Sequence, residues 1–133
     1  DKLVAYQYLK KLVIDKGLKK LVDVGCFSGW IGRDLSRYGV RVLGIDISPV
    51  TTIMAQLKST GTLATFERLP VQQLGVTHTK EFDGAILFDV LERCFDSETT
   101  VEKLFSKKKN LKVEIIENEG GSINWFIQYV NKL

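Results

Sequence analysis

Apolar positions along the first sixteen residues recur at near-helical spacing. They are Leu3, Val4, Tyr8, Leu12 and Val13, with Lys10, Lys11 and Lys16 interleaved. That pattern predicts an amphipathic helix over residues 3–16, ended by Gly17. The period then shortens. Leu21–Val24 is a β-branched-rich run between a lysine pair and a glycine, and predicts a strand. Ser28 is placed to cap a helix over 29–38 that buries Trp30, Ile31 and Leu35 and stops at Gly39. Val40–Ile45 is the next strand, closed by Asp46. Ser48 and Pro49 then give an N-cap with proline at the first helical position, for a helix to about Ser59, before Gly61.

Leu63–Phe66 reads as a third strand, Leu69-Pro70 as a turn or short helix toward Gln73, and the segment through Lys80 as a loop. Phe82–Asp89 predicts a fourth strand, Ser97 opens a helix to about Lys107, and Val113–Glu117 predicts a fifth strand. Gly120-Gly121 breaks the chain, and a last helix is expected over Ile123–Val130. Helix and strand alternate, which argues an α/β fold with a parallel sheet and helices on both faces. In such folds ligands bind outside the carboxyl ends of the strands.

Composition narrows the classes. The chain has 133 residues and 44% apolar content, enough for one domain with one core. No apolar run approaches a membrane span, and Lys10 and Lys11 break the N-terminal pattern in a way unlike a signal peptide. An opening Asp1 in place of methionine reads as a start inside a longer product. Net charge is +3, with one dense cluster at Lys107–Lys108–Lys109 that reads as a solvated helix end, so nucleic acid is not the expected partner. Cys26 and Cys94 have no CxxC spacing and there is one histidine, so no metal site is expected, and reduced thiols fit a cytoplasmic protein.

The stretch Leu21–Trp30 reads LVDVGCFSGW: strand, acid, then glycines at 25 and 29. Gly25 and Gly29 allow a sharp turn and close approach of a ligand. Asp46 closes the following strand, where a carboxylate can accept both hydroxyls of a ribose. The plainer alternative makes the glycines turn residues and Asp46 a cap for the next helix. A dinucleotide fingerprint needs further glycines at positions 27 and 30, which are Phe27 and Trp30. A pyrophosphate must lie against bare backbone, so Phe27 argues against NAD more than against a nucleoside without phosphates. Asp23 is placed to reach an ammonium group on such a ligand.

With these residues in view, LVDVGCFSGWIGRDLSRYGVRVLGIDISP resembles the first two motifs of class I S-adenosylmethionine-dependent methyltransferases, most closely the branch with a GCSSGYFG-like loop. ATFERLP resembles that family's xDAExLP segment, and FDGAILFDVLERCFD its FDxIxxxDVLEHxxD motif, so the likeness covers residues 18–96. It implies a Rossmann-like sheet of order 3-2-1-4-5 that lacks the usual last two strands. Residues 1–133 would form a single S-adenosylmethionine-binding domain, C-terminally truncated relative to the family. Asp23, Gly25, Cys26 and Gly29 would line the methionine end. Asp46 would bind the ribose, Ile47 the adenine face, Phe66 and Glu67 the adenine rim, and Phe88 and Asp89 would close the pocket. Thr65 stands where the family often has an acid for the adenine amino group.

The acceptor is less legible. The family's histidine after VLE is Arg93, the lone His78 falls in a loop, and Glu92, Arg93 and Asp96 sit where an acceptor should enter. No catalytic residue is assigned. Cys26 and Cys94 follow neighbouring strands, and read as two unrelated thiols or as a redox pair. The fifth strand is left as an apolar edge, to be covered by the INWFIQYV segment, by a second copy or partner domain, or by residues outside this sequence. Two functions stand: methyl transfer to a small-molecule or glycan-type acceptor, or a non-catalytic S-adenosylmethionine-binding or interaction domain of a larger protein.

Overall fold

A computed structural model describes residues 2–70, 73, 82–88, 111–117 and 123–130. Its elements are α1 (Lys2–Asp15), β1 (Lys20–Val24), α2 (Trp30–Ser36), β2 (Arg41–Asp46), α3 (Pro49–Lys58), β3 (Thr65–Arg68), β4 (Gly84–Phe88), β5 (Leu111–Glu117) and β6 (Ile123–Val130).

Helix α1 turns Tyr6, Leu9 and Val13 into the core, against Ile31 and Leu35 of α2 and Leu21, Val42 and Ile86 of the sheet. The buried stripe is therefore offset from the expected one, since Leu3, Val4 and Tyr8 are exposed. Apolar residues occupy two faces of α1, and contact with α2 selects between them. Tyr6 meets the edge of Trp30 with ring centroids 4.9 Å apart, and its hydroxyl donates to Asp34. Gly17 and Gly39 end α1 and the α2 turn as expected: Leu18 N–H reaches the Val13 carbonyl, and Val40 N–H the Leu35 carbonyl, each five residues back.

Two boundaries differ from expectation for local reasons. Helix α2 takes Gly29, not Ser28, as its N-cap, with no side-chain cap. Strand β3 begins at Thr65, where pairing with Leu43 starts. Leu63, expected inside it, donates its N–H instead to Ser36 Oγ at 2.7 Å. Helix α3 has the expected start, with Thr51 N–H donating to Ser48 Oγ.

Strands β3, β2, β1 and β4 pair in parallel in the expected order. Register places Leu21, Asp23, Val42, Gly44, Phe66 and Ile86 on one face. All three described helices pack there, α3 through Ala55 beside Phe66. The alternate residues Val22, Val24, Leu43, Ile45, Ala85 and Leu87 are also buried, so both faces of the central strands are removed from solvent. The helix expected over Ser97–Lys107 lies outside the described residues.

Beyond β4 the expectation fails. Ile123–Val130 is a strand rather than a helix, and it lies between β4 and β5, antiparallel to both, giving the order β3-β2-β1-β4-β6-β5. The order 3-2-1-4-5 is thus corrected at its last position: β5 is an edge strand, but its neighbour is β6. The reason is compositional. INWFIQYV is β-branched and aromatic with Gln128 as its single strong helix former, and Gly120-Gly121 separates it from another β-rich run, which is a hairpin signal.

Candidate functional site

Register levels Val24 with Ile45 on one side and Leu87 on the other. The chain therefore leaves β1, β2 and β4 side by side, and Gly25, Asp46 and Phe88 emerge at one end of the sheet. The loop after β1 is pinned peptide by peptide. Gly25 and Cys26 both donate their N–H groups to the Ile45 carbonyl, at 2.9 and 3.1 Å, and Gly29 N–H donates to the Cys26 carbonyl at 2.9 Å. Gly25 and Gly29 have φ of 70° and 81°. Phe27, where a dinucleotide fingerprint carries glycine, is the one described non-glycine residue at positive φ, 50°. Holding a phenylalanine there costs about 1–2 kcal/mol. Its ring is exposed. The N–H groups of Phe27 and Ser28 have no partner among the described residues.

Beneath the loop lies Phe66. A Cβ on Gly29 would stand 2.5 Å from its Cζ, and a Cβ on Gly44 would stand 2.5 Å from its Cδ1 and 2.8 Å from the Cys26 Cβ. Phe66, expected at an adenine rim, is buried with its ring under Gly29 and over Gly44, and it sets the height of the loop. Gly44 was not among the expected residues; a glycine inside the RVLGID strand is the signal for such a close approach.

Asp23 is 2% exposed and makes no hydrogen bond among the described residues. Burial, and secondarily the charge of Asp46, pushes its carboxyl up to about 7. Asp46 is half-buried. Its Oδ1 accepts the Ser48 N–H at 3.0 Å, so the plainer reading accounts for one oxygen, while Oδ2 has no partner among the described residues. Its carbonyl accepts the Leu69 N–H at 3.0 Å. Ile47 next to it is 70% exposed, an apolar surface at the mouth of the site. Burial, then Asp23 and Asp46, pushes the Cys26 thiol up to about 12, so it stays protonated at neutral pH.

Register sets Arg68, not Thr65, level with Asp46; Thr65 pairs with Leu43, three residues further back. Arg68 Nε donates to the Ile47 carbonyl at 3.1 Å, and half-buried Glu67 is level with Ile45. Phe88 ends β4. Asp89, His78, Glu92, Arg93, Cys94 and Asp96 lie outside the described residues.

A sequence family described as a methyltransferase domain matches residues 22–109. Among curated proteins, the chain is 29% identical over 91 residues to a ubiquinone biosynthesis O-methyltransferase of Psychrobacter cryohalolentis, covering 65% of this chain and 35% of that protein. It is 34% identical over 83 residues to N-demethylindolmycin N-methyltransferase of Streptomyces griseus, covering 62% and 35%. The chain thus spans about a third of the length of these relatives. The fold is similar to that of magnesium protoporphyrin IX methyltransferase from Synechocystis with bound S-adenosylmethionine, with a TM-score of 0.60, 17% identity, and 94% of this chain and 77% of that one covered. The fold is also similar to that of an O-methyltransferase from Bacillus cereus in complex with S-adenosylhomocysteine, with a TM-score of 0.60 at 15% identity, and 97% and 81% covered.

Proposed function

The chain belongs to the methyltransferase domain family, of the class I S-adenosylmethionine-dependent kind, and from that premise we propose that it binds S-adenosylmethionine at the carboxyl ends of β1, β2 and β4 and methylates a small-molecule acceptor. The observation that carries the reading is the pair of acids: a buried carboxyl at Asp23 without a hydrogen-bond partner, and an unused Oδ2 on Asp46 at the end of the adjacent strand. A cationic ammonium satisfies the first and a ribose diol the second. The unpartnered N–H groups of Phe27 and Ser28 suit a carboxylate, and exposed Ile47 suits an adenine face. Gly25, Cys26 and Gly29 shape the methionine end, and Glu67 borders the nucleoside. The residues fit the group.

When bound, S-adenosylmethionine supplies a methyl group on a sulfonium leaving group. The chain's own task is then to align and to exclude water, since in-line displacement from an activated donor gains most from orientation. A base is needed only for an acceptor that must lose a proton. The similar curated proteins are named as O- and N-methyltransferases, which favours an oxygen or nitrogen acceptor and favours catalysis over binding alone. Pairing of the six described strands in one sheet supports reading residues 1–133 as one domain.

The test is calorimetric titration with S-adenosylmethionine, S-adenosylhomocysteine and NAD in parallel, on the wild type and on Asp46→Ala. Binding of the first two alone, lowered at least about tenfold by Asp46→Ala, is the expected result. Equal binding by Asp46→Ala would remove the ribose assignment, and silence from both S-adenosyl compounds would remove the function.

A further inference from the structure

Arg33 stands on α2, outside the residues that face the site, yet its side chain returns to the loop. Its Nη1 donates to the Ser28 carbonyl and lies 3.3 Å from Ser59 Oγ at the end of α3, and Ser59 is buried. Ser28 lies between Phe27 and Gly29, both at positive φ. Glycine turns freely, so the peptide on its N-terminal side keeps one orientation only when both its ends are held. Here both are. The Ser28–Gly29 peptide gives its N–H to the Cys26 carbonyl and receives Arg33 on its oxygen. The Cys26 carbonyl, held by Gly29, fixes in turn the direction of the Phe27 N–H, which shares its peptide plane.

We propose that Arg33 is a positioning residue for the cofactor: its guanidinium locks the Ser28–Gly29 peptide so that the Phe27 and Ser28 N–H groups face the amino-acid end of the ligand. The contact with Ser59 carries this lock to α3, whose start is tied to Asp46 through Ser48, so the two ends of the site share one brace. Both contacts come from Nη1 of an always-charged, planar guanidinium, whereas a lysine would offer a point charge on a flexible stem. The proposal rests on the S-adenosylmethionine reading above, and deepens it by separating what holds the amino-acid end from what holds the nucleoside.

Two ligands distinguish this role from a merely structural one. S-adenosylhomocysteine has the amino-acid end; methylthioadenosine keeps the nucleoside and lacks it. In calorimetry on the full chain, Arg33→Met should weaken S-adenosylhomocysteine about tenfold and change methylthioadenosine by less than about twofold. Arg33→Lys should recover part of the loss. If wild type binds both compounds and Arg33→Met binds S-adenosylhomocysteine undiminished, or weakens both ligands alike, the proposal is overturned while the cofactor reading stands. If wild type binds neither, both fall. Should Arg33→Met not fold, Arg33→Lys carries the same comparison: a selective loss of about threefold supports the lock, and an equal loss or none overturns it.

Discussion

Asp23 is a carboxylic acid placed where water cannot reach it, and that alone makes a claim about pH. Its native carboxyl titrates near 7, against 3.8 in an open chain, so between those values the folded protein holds a proton the unfolded chain has released. Its contribution therefore favours folding most below pH about 4, declines as pH rises toward 7, and is flat above, a span of about 4 kcal/mol. Asp34 works in the opposite sense. Burial alone would raise it, but Tyr6 and Lys10 outweigh that and hold it below the usual carboxylate range, so its share is lost in acid. Asp23→Asn isolates the first effect: denaturant melts should show the variant more stable than wild type at pH 8 and near parity at pH 4. A difference independent of pH would mean that Asp23 is ionised in the native protein. The turn glycines Gly25 and Gly29 and the place of Asp46 at the end of β2 were legible from sequence because turn and strand-end patterns are local. Arg33 was not, and Gly44 showed only as a glycine within a strand, because the carbonyl and the ring they meet are brought near by the fold alone.

Elements formed where pattern and pairing agreed. Helices α1, α2 and α3 and strands β1, β2 and β4 lie within a few residues of their sequence bounds, since glycines and an N-cap mark most of their ends. The last eight strand residues were misread as a helix because a short apolar run has no decisive period; β-branched and aromatic content was the better guide. The contact of β2 with β3 gives a sharper test of packing. Gly44→Ala forces a methyl onto Phe66 and Cys26, and should cost about 1–3 kcal/mol in equilibrium unfolding. Phe66→Leu in the same chain removes the obstructing ring atoms, so the double variant should lose about 1 kcal/mol less than the sum of the two single losses. Strict additivity would mean that the ring does not press on Gly44.

Across the molecule, sheet order decides which backbone amides water can reach. Among the described strands β6 is paired on both sides and β5 on one, so native-state hydrogen exchange should protect Ile123–Val130 more strongly than Leu111–Glu117. The reverse ranking would restore β5 to the place beside β4. The described helices contain no span long and apolar enough to cross a membrane.

One small feature has a reach larger than its size. The loop after β1 and the acid after β2 are not independent, because Gly25 and Cys26 both hang from the carbonyl of Ile45, the residue before Asp46. The two jaws of the site are thereby mounted on one peptide, and their separation cannot be adjusted to suit a visitor. Under the proposed function such a site is a fixed gauge, sorting nucleosides by the number of bonds between sugar and charged tail, and a tail longer by one methylene should be refused even though every group it carries is the right one.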